Sequence, residues 1–173
     1  MSKGLPNRVG LPDRVDVARQ VQARRLFEGV LPLAAMQRLR GSLASGEGEA
    51  RYSAGFDKDA LGVSYLALHV EAGLPLVCQR TLEPFVHEVV LDQRMGVVAD
   101  ESEEAALPPG YEPLLAPDGE VSIADVIEDE LILALPVVPL RPGAPLVWKD
   151  PEDTAGEEVP PNPFAVLGTL KKH

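Results

Sequence analysis

Cys78 is the only thiol in the chain, and Arg80 follows it two residues on. On a strand that spacing puts both side chains on one face. A positive neighbour lowers a thiol's pKa toward the nucleophilic thiolate, and His87 on a paired strand would supply a base. A cysteine simply buried in a strand has the same signature and is the commoner outcome. His69 and His87 would need to converge with a carboxylate to ligate a metal; a surface or core histidine is the plainer account of each. Asp125, Glu128 and Asp129 have the i, i+3, i+4 spacing of one helix face, so they could act as a catalytic pair or hold a divalent cation. Acids in a helix's first turns are also favoured by its dipole alone. No phosphate loop, dinucleotide fingerprint, H-E-x-x-H helix or nucleophile elbow occurs. The expectation is a protein with no catalytic residues, no metal and no cofactor.

The elements that would carry these residues can be read in order. Residues 1–12 hold Gly4, Pro6, Gly10 and Pro12 and read as loop. Asp13 is placed to cap a helix running to about Arg25, with Val17 and Val21 on one face. Leu26 to Val30 is a short apolar run suited to a strand. Pro32 opens a second helix through Ala34, Met36 and Leu39, and Gly41 ends it. The period then changes to two. Ala50, Tyr52, Ala54 and Phe56 alternate with polar residues, as in a half-buried strand. Leu61–Val70 is expected as a second strand, Glu71-Ala72-Gly73 as a turn, Leu74–Arg80 as a third strand, and the alternation from Phe85 to Leu91 as a fourth.

Residues 99–121 read as loop. Ser122 and Asp125 form a capping box for a helix through Leu135, which Pro136 stops. Short connections favour antiparallel pairing. The expected fold class is α+β: a meander of about four or five antiparallel strands packed with two or three helices. Residues 1–135 would be a single domain with a basic helical head. Residues 136–173 would be an extended tail, with eight prolines in positions 136–163, an apolar plug around Phe164 and a basic end.

The chain has 173 residues and a net charge of −11, unevenly distributed. Residues 1–40 hold eight Lys/Arg against three Asp/Glu, whereas residues 100–160 hold two against sixteen. The head suits either solvated helix faces or contact with phosphates; the acidic rear suits a basic partner or solubility. Bulk charge argues against a protein held to nucleic acid by net attraction. Aromatic residues are few, with no aromatic–basic alternation for stacking bases. One cysteine excludes an internal disulfide. No apolar run reaches the length of a membrane span and the first residues do not read as a signal peptide, so a cytoplasmic protein with no membrane contact is expected.

Four segments together resemble the YceD family of large-ribosomal-RNA-subunit accumulation proteins. They are Cys78-Gln79-Arg80-Thr81-Leu82-Glu83-Pro84-Phe85, then Leu107-Pro108-Pro109-Gly110-Tyr111-Glu112-Pro113, then the run from Val126 to Pro139 containing Glu128-Asp129-Glu130, and last Pro161-Asn162-Pro163-Phe164-Ala165-Val166-Leu167. They occur in the family's order across most of the chain. The resemblance implies a non-enzymatic ribosome-biogenesis factor that supports 23S rRNA accumulation. Its partner would be an assembling particle, through precursor rRNA or a basic ribosomal protein. The alternative is an acidic chaperone for one such protein, without RNA contact. The family pattern often reads C-x-R-C, and here Thr81 replaces the second cysteine. The residues expected to bind are Arg19, Arg24 and Arg25 in the head, Cys78 and Arg80, the acidic trio Glu128, Asp129 and Glu130, and Asn162 and Phe164 near the C-terminus.

Overall fold

A computed structural model describes residues 11–143. The expected loop at 1–12 therefore lies mostly outside the described residues, as does the proline-rich tail beyond Gly143. The elements in order are β1 (Val15–Asp16), α1 (Val17–Gln22), β2 (Leu26–Pro32), a 3-10 turn (Leu33–Ala35), α2 (Gln37–Arg40), β3 (Glu49–Lys58), β4 (Ser64–Val77) and β5 (Pro84–Val98). A second 3-10 turn (Glu101–Ala106), β6 (Glu112–Leu115), β7 (Glu120–Val121) and α3 (Ile123–Leu133) follow. The fold is α+β, as the alternation of periods predicts. Its main sheet runs β2-β3-β4-β5-β6, antiparallel except for the last pair, where β6 lies parallel to β5. The small pair β1–β7 sets Val15 opposite Val121.

Several expected boundaries move, each for a local reason. The first helix is capped by Asp16, whose carboxylate accepts the Arg19 amide at 2.8 Å, and not by Asp13. It ends at Gln22 in a Schellman arrangement: the Arg24 amide reaches Val21 and the Arg25 amide reaches Gln20. Arg24 occupies the left-handed position with φ 46. Glycine normally marks that position, so nothing in the sequence announced the stop. The expected second helix is a 3-10 turn followed by the short α2, ending at Gly41 as read.

The expected turn at Glu71-Ala72-Gly73 does not exist, because β4 is one strand from Ser64 to Val77. Gly73 is there for close approach: a Cβ on it would stand 2.9 Å from Val86 Cγ1. Pro75 is tolerated because its carbonyl accepts the Ala44 amide at 2.7 Å. Its missing N–H therefore faces the 41–48 loop and spares the ladder to β5. Glu112–Leu115 and Glu120–Val121, expected as loop, are short strands.

Helices cover one face of the sheet. Leu66, Leu68, Val70 and Leu74 of β4 and Ala50, Ala54 and Phe56 of β3 form one buried cluster with Val17, Leu33, Leu39, Ile123, Ile127 and Leu131. Fully buried leucines and isoleucines of this kind each contribute about 1.5–3 kcal/mol. The compact unit extends through Pro142. After α3 the chain returns to the turn between β4 and β5, where the Pro139 carbonyl accepts the Gln79 amide at 2.9 Å. Among the described residues no helix is long and apolar enough to cross a membrane.

Candidate functional site

The expected binding residues fall into three separate places. The first is the β4–β5 turn. Cys78 lies just past the end of β4, not within a strand, so Cys78 and Arg80 do not share a strand face. The turn is closed by the Cys78 amide to Glu83 O at 2.9 Å and the Leu82 amide to Cys78 O at 2.8 Å. His87 pairs with Leu74, four residues before Cys78, roughly 13 Å along the ladder. The expected thiol–imidazole pair is not formed.

The Cys78 sulfur is instead ringed by donors. The Arg141 amide points at Sγ from 3.4 Å. The Thr81 hydroxyl and the Thr81 and Arg80 amides add to it, and together they hold the thiol at about 6, well below its ordinary value. The residue has no exposed surface yet lies outside the main core cluster, so the donors outweigh burial. Thr81, which departs from the C-x-R-C pattern, thus turns its hydroxyl to the one remaining thiol. The Arg141 guanidinium also pairs with Glu83 at 3.0 Å. This cluster can hold a buried thiolate; it presents no base to one.

The second place is the junction of α2 and α3. Glu128 is buried, and its Oε1 accepts the amides of Arg38 at 2.7 Å and Leu39 at 3.0 Å. Those amides belong to the first turn of α2 and have no partner within it. Glu128 Oε2 and Asp129 both meet the Arg38 guanidinium. Glu130 is buried on the other side, where burial and then the charge of Glu112 raise its pKa, against a hydrogen bond from Gln93. The acidic trio is therefore spread round the helix, with Glu128 and Glu130 buried and Asp129 exposed against Arg38, and is not displayed as one patch. Asp125 is exposed at the N-terminus of α3, its amide capped by Ser122. Among the described residues no group of His, Cys, Asp or Glu side chains is arranged to hold a metal ion.

The third place is the turn from α1 into β2. Arg24 pairs with Asp57 at 3.3 Å, and Arg25 lies over the Phe27 ring at 5.7 Å. Arg19 is exposed on α1. The basic head is partly neutralised from within: Arg14 meets Asp118 and Glu120, and Arg38 meets Glu128 and Asp129. Arg19, Arg25 and Arg40 carry no carboxylate partner among the described residues. Asn162 and Phe164 lie outside those residues.

Two features were invisible in the sequence. Arg94 lies over Tyr65 at 4.8 Å and Tyr111 at 5.7 Å, and the Tyr111 hydroxyl donates to Asp59 at 2.8 Å. His69 sits between Asp92 at 2.7 Å and Glu71 at 3.4 Å, and these carboxylates raise its pKa. Both depend on register between distant strands, which spacing along one strand does not encode.

No solved structure matches the chain. The curated Large ribosomal RNA subunit accumulation protein YceD of Haemophilus influenzae is 32% identical over 171 residues, covering 95% of this chain and 98% of that one. The family model for Large ribosomal RNA subunit accumulation protein YceD matches residues 66–171, a span that takes in the Cys78 turn, α3 and the tail. With most of its length matched in both comparisons, the chain belongs to the YceD family.

Proposed function

We propose that this protein is a non-catalytic factor of ribosome biogenesis, supporting 23S rRNA accumulation by binding the assembling large subunit. Family membership implies the role in large-subunit rRNA accumulation. The observation that carries the binding reading is the segregation of charge: Arg19 and Arg25 stand exposed, without carboxylate partners among the described residues, on a chain of net charge −11. Such a protein would touch rRNA phosphates locally while its acidic surface repels RNA elsewhere and favours basic ribosomal proteins. The work would be done in the cytoplasm, where ribosomes are assembled, with no cofactor. Among the described residues the buried thiol has no base beside it and Glu128 is engaged in capping α2, which supports a role without catalysis.

A tagged pull-down, with and without RNase, tests the reading. Precursor 23S rRNA with large-subunit proteins, released by RNase, is the expected result. Recovery of a single basic ribosomal protein that persists after RNase and weakens with salt would favour the RNA-free chaperone instead. Recovery of neither would overturn binding as the mode of action.

A further inference from the structure

The helices cover one face of the main sheet, and among the described residues no helix covers the opposite face around Val30, Arg51 and Glu71. Register sets rows of side chains across it: Val30, Arg51, Glu71 and Val90, then Glu28, Ser53, His69 and Asp92. A shallow groove of about 450 Å³ runs between Glu28, Val30, Arg51, Ser53, His69 and Glu71. Leu26, Val30 and Val90 are 54%, 44% and 65% exposed, apolar side chains standing among charges.

The groove ends at an edge strand, since β2 is the first strand of the sheet. The Arg25 carbonyl accepts from Phe56 and the Leu33 amide donates to Gly48, so these two residues face β3. Alternation by two then turns the N–H and C=O groups of Leu26, Glu28 and Val30 outward. Among the described residues no strand pairs with them. Such an edge is a template for another extended chain.

Charge selects the occupant. Glu28, Glu49, Glu71, Glu88 and Asp92 are exposed on this face; Arg51 stands among them, and Arg94, two residues along β5 from Asp92, lies over Tyr65 and Tyr111. RNA phosphates would meet five carboxylates there. A second copy of this chain, pairing its own β2 antiparallel about Glu28, would set like charges opposite each other. A basic polypeptide meets neither obstacle.

We infer that the outer edge of β2 and the acidic groove beside it receive an extended basic segment of a partner protein, added to the sheet as a further strand. The inference rests on the binding reading above and specifies its protein partner. On the added strand, side chains facing the groove would alternate apolar, basic, apolar. The apolar ones would lie beside Leu26 and Val30, the basic one beside Glu28.

The test uses the full-length protein and a short labelled peptide in which serine alternates with valine and lysine in turn. Binding is expected to saturate, to weaken with salt, and to vanish when the lysines become glutamates. Val30→Pro removes an outward N–H and no ladder bond, and is expected to weaken binding at least about tenfold. Glu28→Lys, an exposed substitution that leaves the backbone intact, is expected to do the same and guards against misfolding of the proline variant. Equal affinity of wild type and Glu28→Lys for the peptide, or displacement of the peptide by a single-stranded RNA at equal affinity, would overturn the assignment. The same variants are then assayed for 23S rRNA accumulation in cells lacking the native protein. Wild-type failure to restore accumulation defeats the underlying reading, whereas variants that lose the peptide yet restore accumulation fully defeat the edge assignment alone.

Discussion

The Glu128 carboxylate stands 3.0 Å from the backbone nitrogen of Leu39, 89 residues earlier in the chain. A side chain of α3 thereby caps α2, doing for a distant helix what an N-cap serine does for its own. The Arg38 amide at 2.7 Å shares the same oxygen. Met36, the residue at the cap position of α2, offers no side-chain acceptor, so without Glu128 two amides would be left to compete for water at a buried junction. Glu128→Ala is expected to cost about 1–3 kcal/mol in urea denaturation. Glu128→Gln keeps an acceptor oxygen and should cost clearly less. Equal stability of wild type and the alanine variant would show that the cap contributes nothing.

Leu82 tests the turn that holds Cys78. Its φ is 58 and its side chain is 77% exposed, so a strained backbone gains no burial in return. Leu82→Gly relieves the left-handed conformation, worth about 1–2 kcal/mol, and gives back part of that in chain entropy. A net rise in melting temperature is expected. A fall would mean that the leucine side chain makes a contact worth more than the strain.

How far the sequence discloses this protein depends on whether a signal is local. The alternation of Ala50, Tyr52, Ala54 and Phe56 is local, and all four are buried on one face of β3. Ser122 capping Asp125 is local too. The β4 strand misleads because glycine in a strand and glycine in a turn look alike until the approach of Val86 is seen. Arg24 misleads because its left-handed turn lacks the usual glycine. The candidate residues Glu128, Asp129 and Glu130 read as a charge run, yet their roles depend on Arg38, Leu39 and Gln93, which only the packing of α3 brings near.

The thiol makes a pH prediction. Cys78 is held at about 6 by the Arg141 amide and then by Thr81, whereas an unfolded thiol titrates near its ordinary value of 9.0. A depressed acid pKa favours the folded state above the unfolded value, and that contribution is lost as pH falls through the folded one. Stability should therefore rise between about pH 6 and pH 9 more steeply in wild type than in Cys78→Ala. Thiolate ultraviolet absorbance should titrate near pH 6. Titration near the ordinary thiol value would mean that the ring of donors is not formed in solution.

His69 carries the opposite sign. Hydrogen bonds to Asp92 and then Glu71 raise its pKa above 6.5. The stabilisation is full below the unfolded value and is lost as pH rises through the folded one. In proton NMR the His69 ring should titrate above the ordinary histidine value, and Asp92→Asn should lower its midpoint. A midpoint unmoved by Asp92→Asn would remove that carboxylate as the cause.

The arginine turn bears on function most directly, and its geometry decides which variants are informative. Arg24 is paired with Asp57 and holds the left-handed C-terminus of α1. Reversing its charge would set two carboxylates together and disturb the turn, confusing folding with binding. Arg19 and Arg25 are exposed and have no carboxylate partner among the described residues, and the backbone carbonyl of Arg25 keeps its bond to Phe56 whatever its side chain. The double variant Arg19→Glu, Arg25→Glu is thus expected to melt close to wild type while losing association with precursor large-subunit particles. If each arginine neutralises one phosphate, the slope of log affinity against log salt should fall by about two. Undiminished association and an unchanged salt slope would take the phosphates away from this turn and leave the acidic face as the protein's route onto the particle.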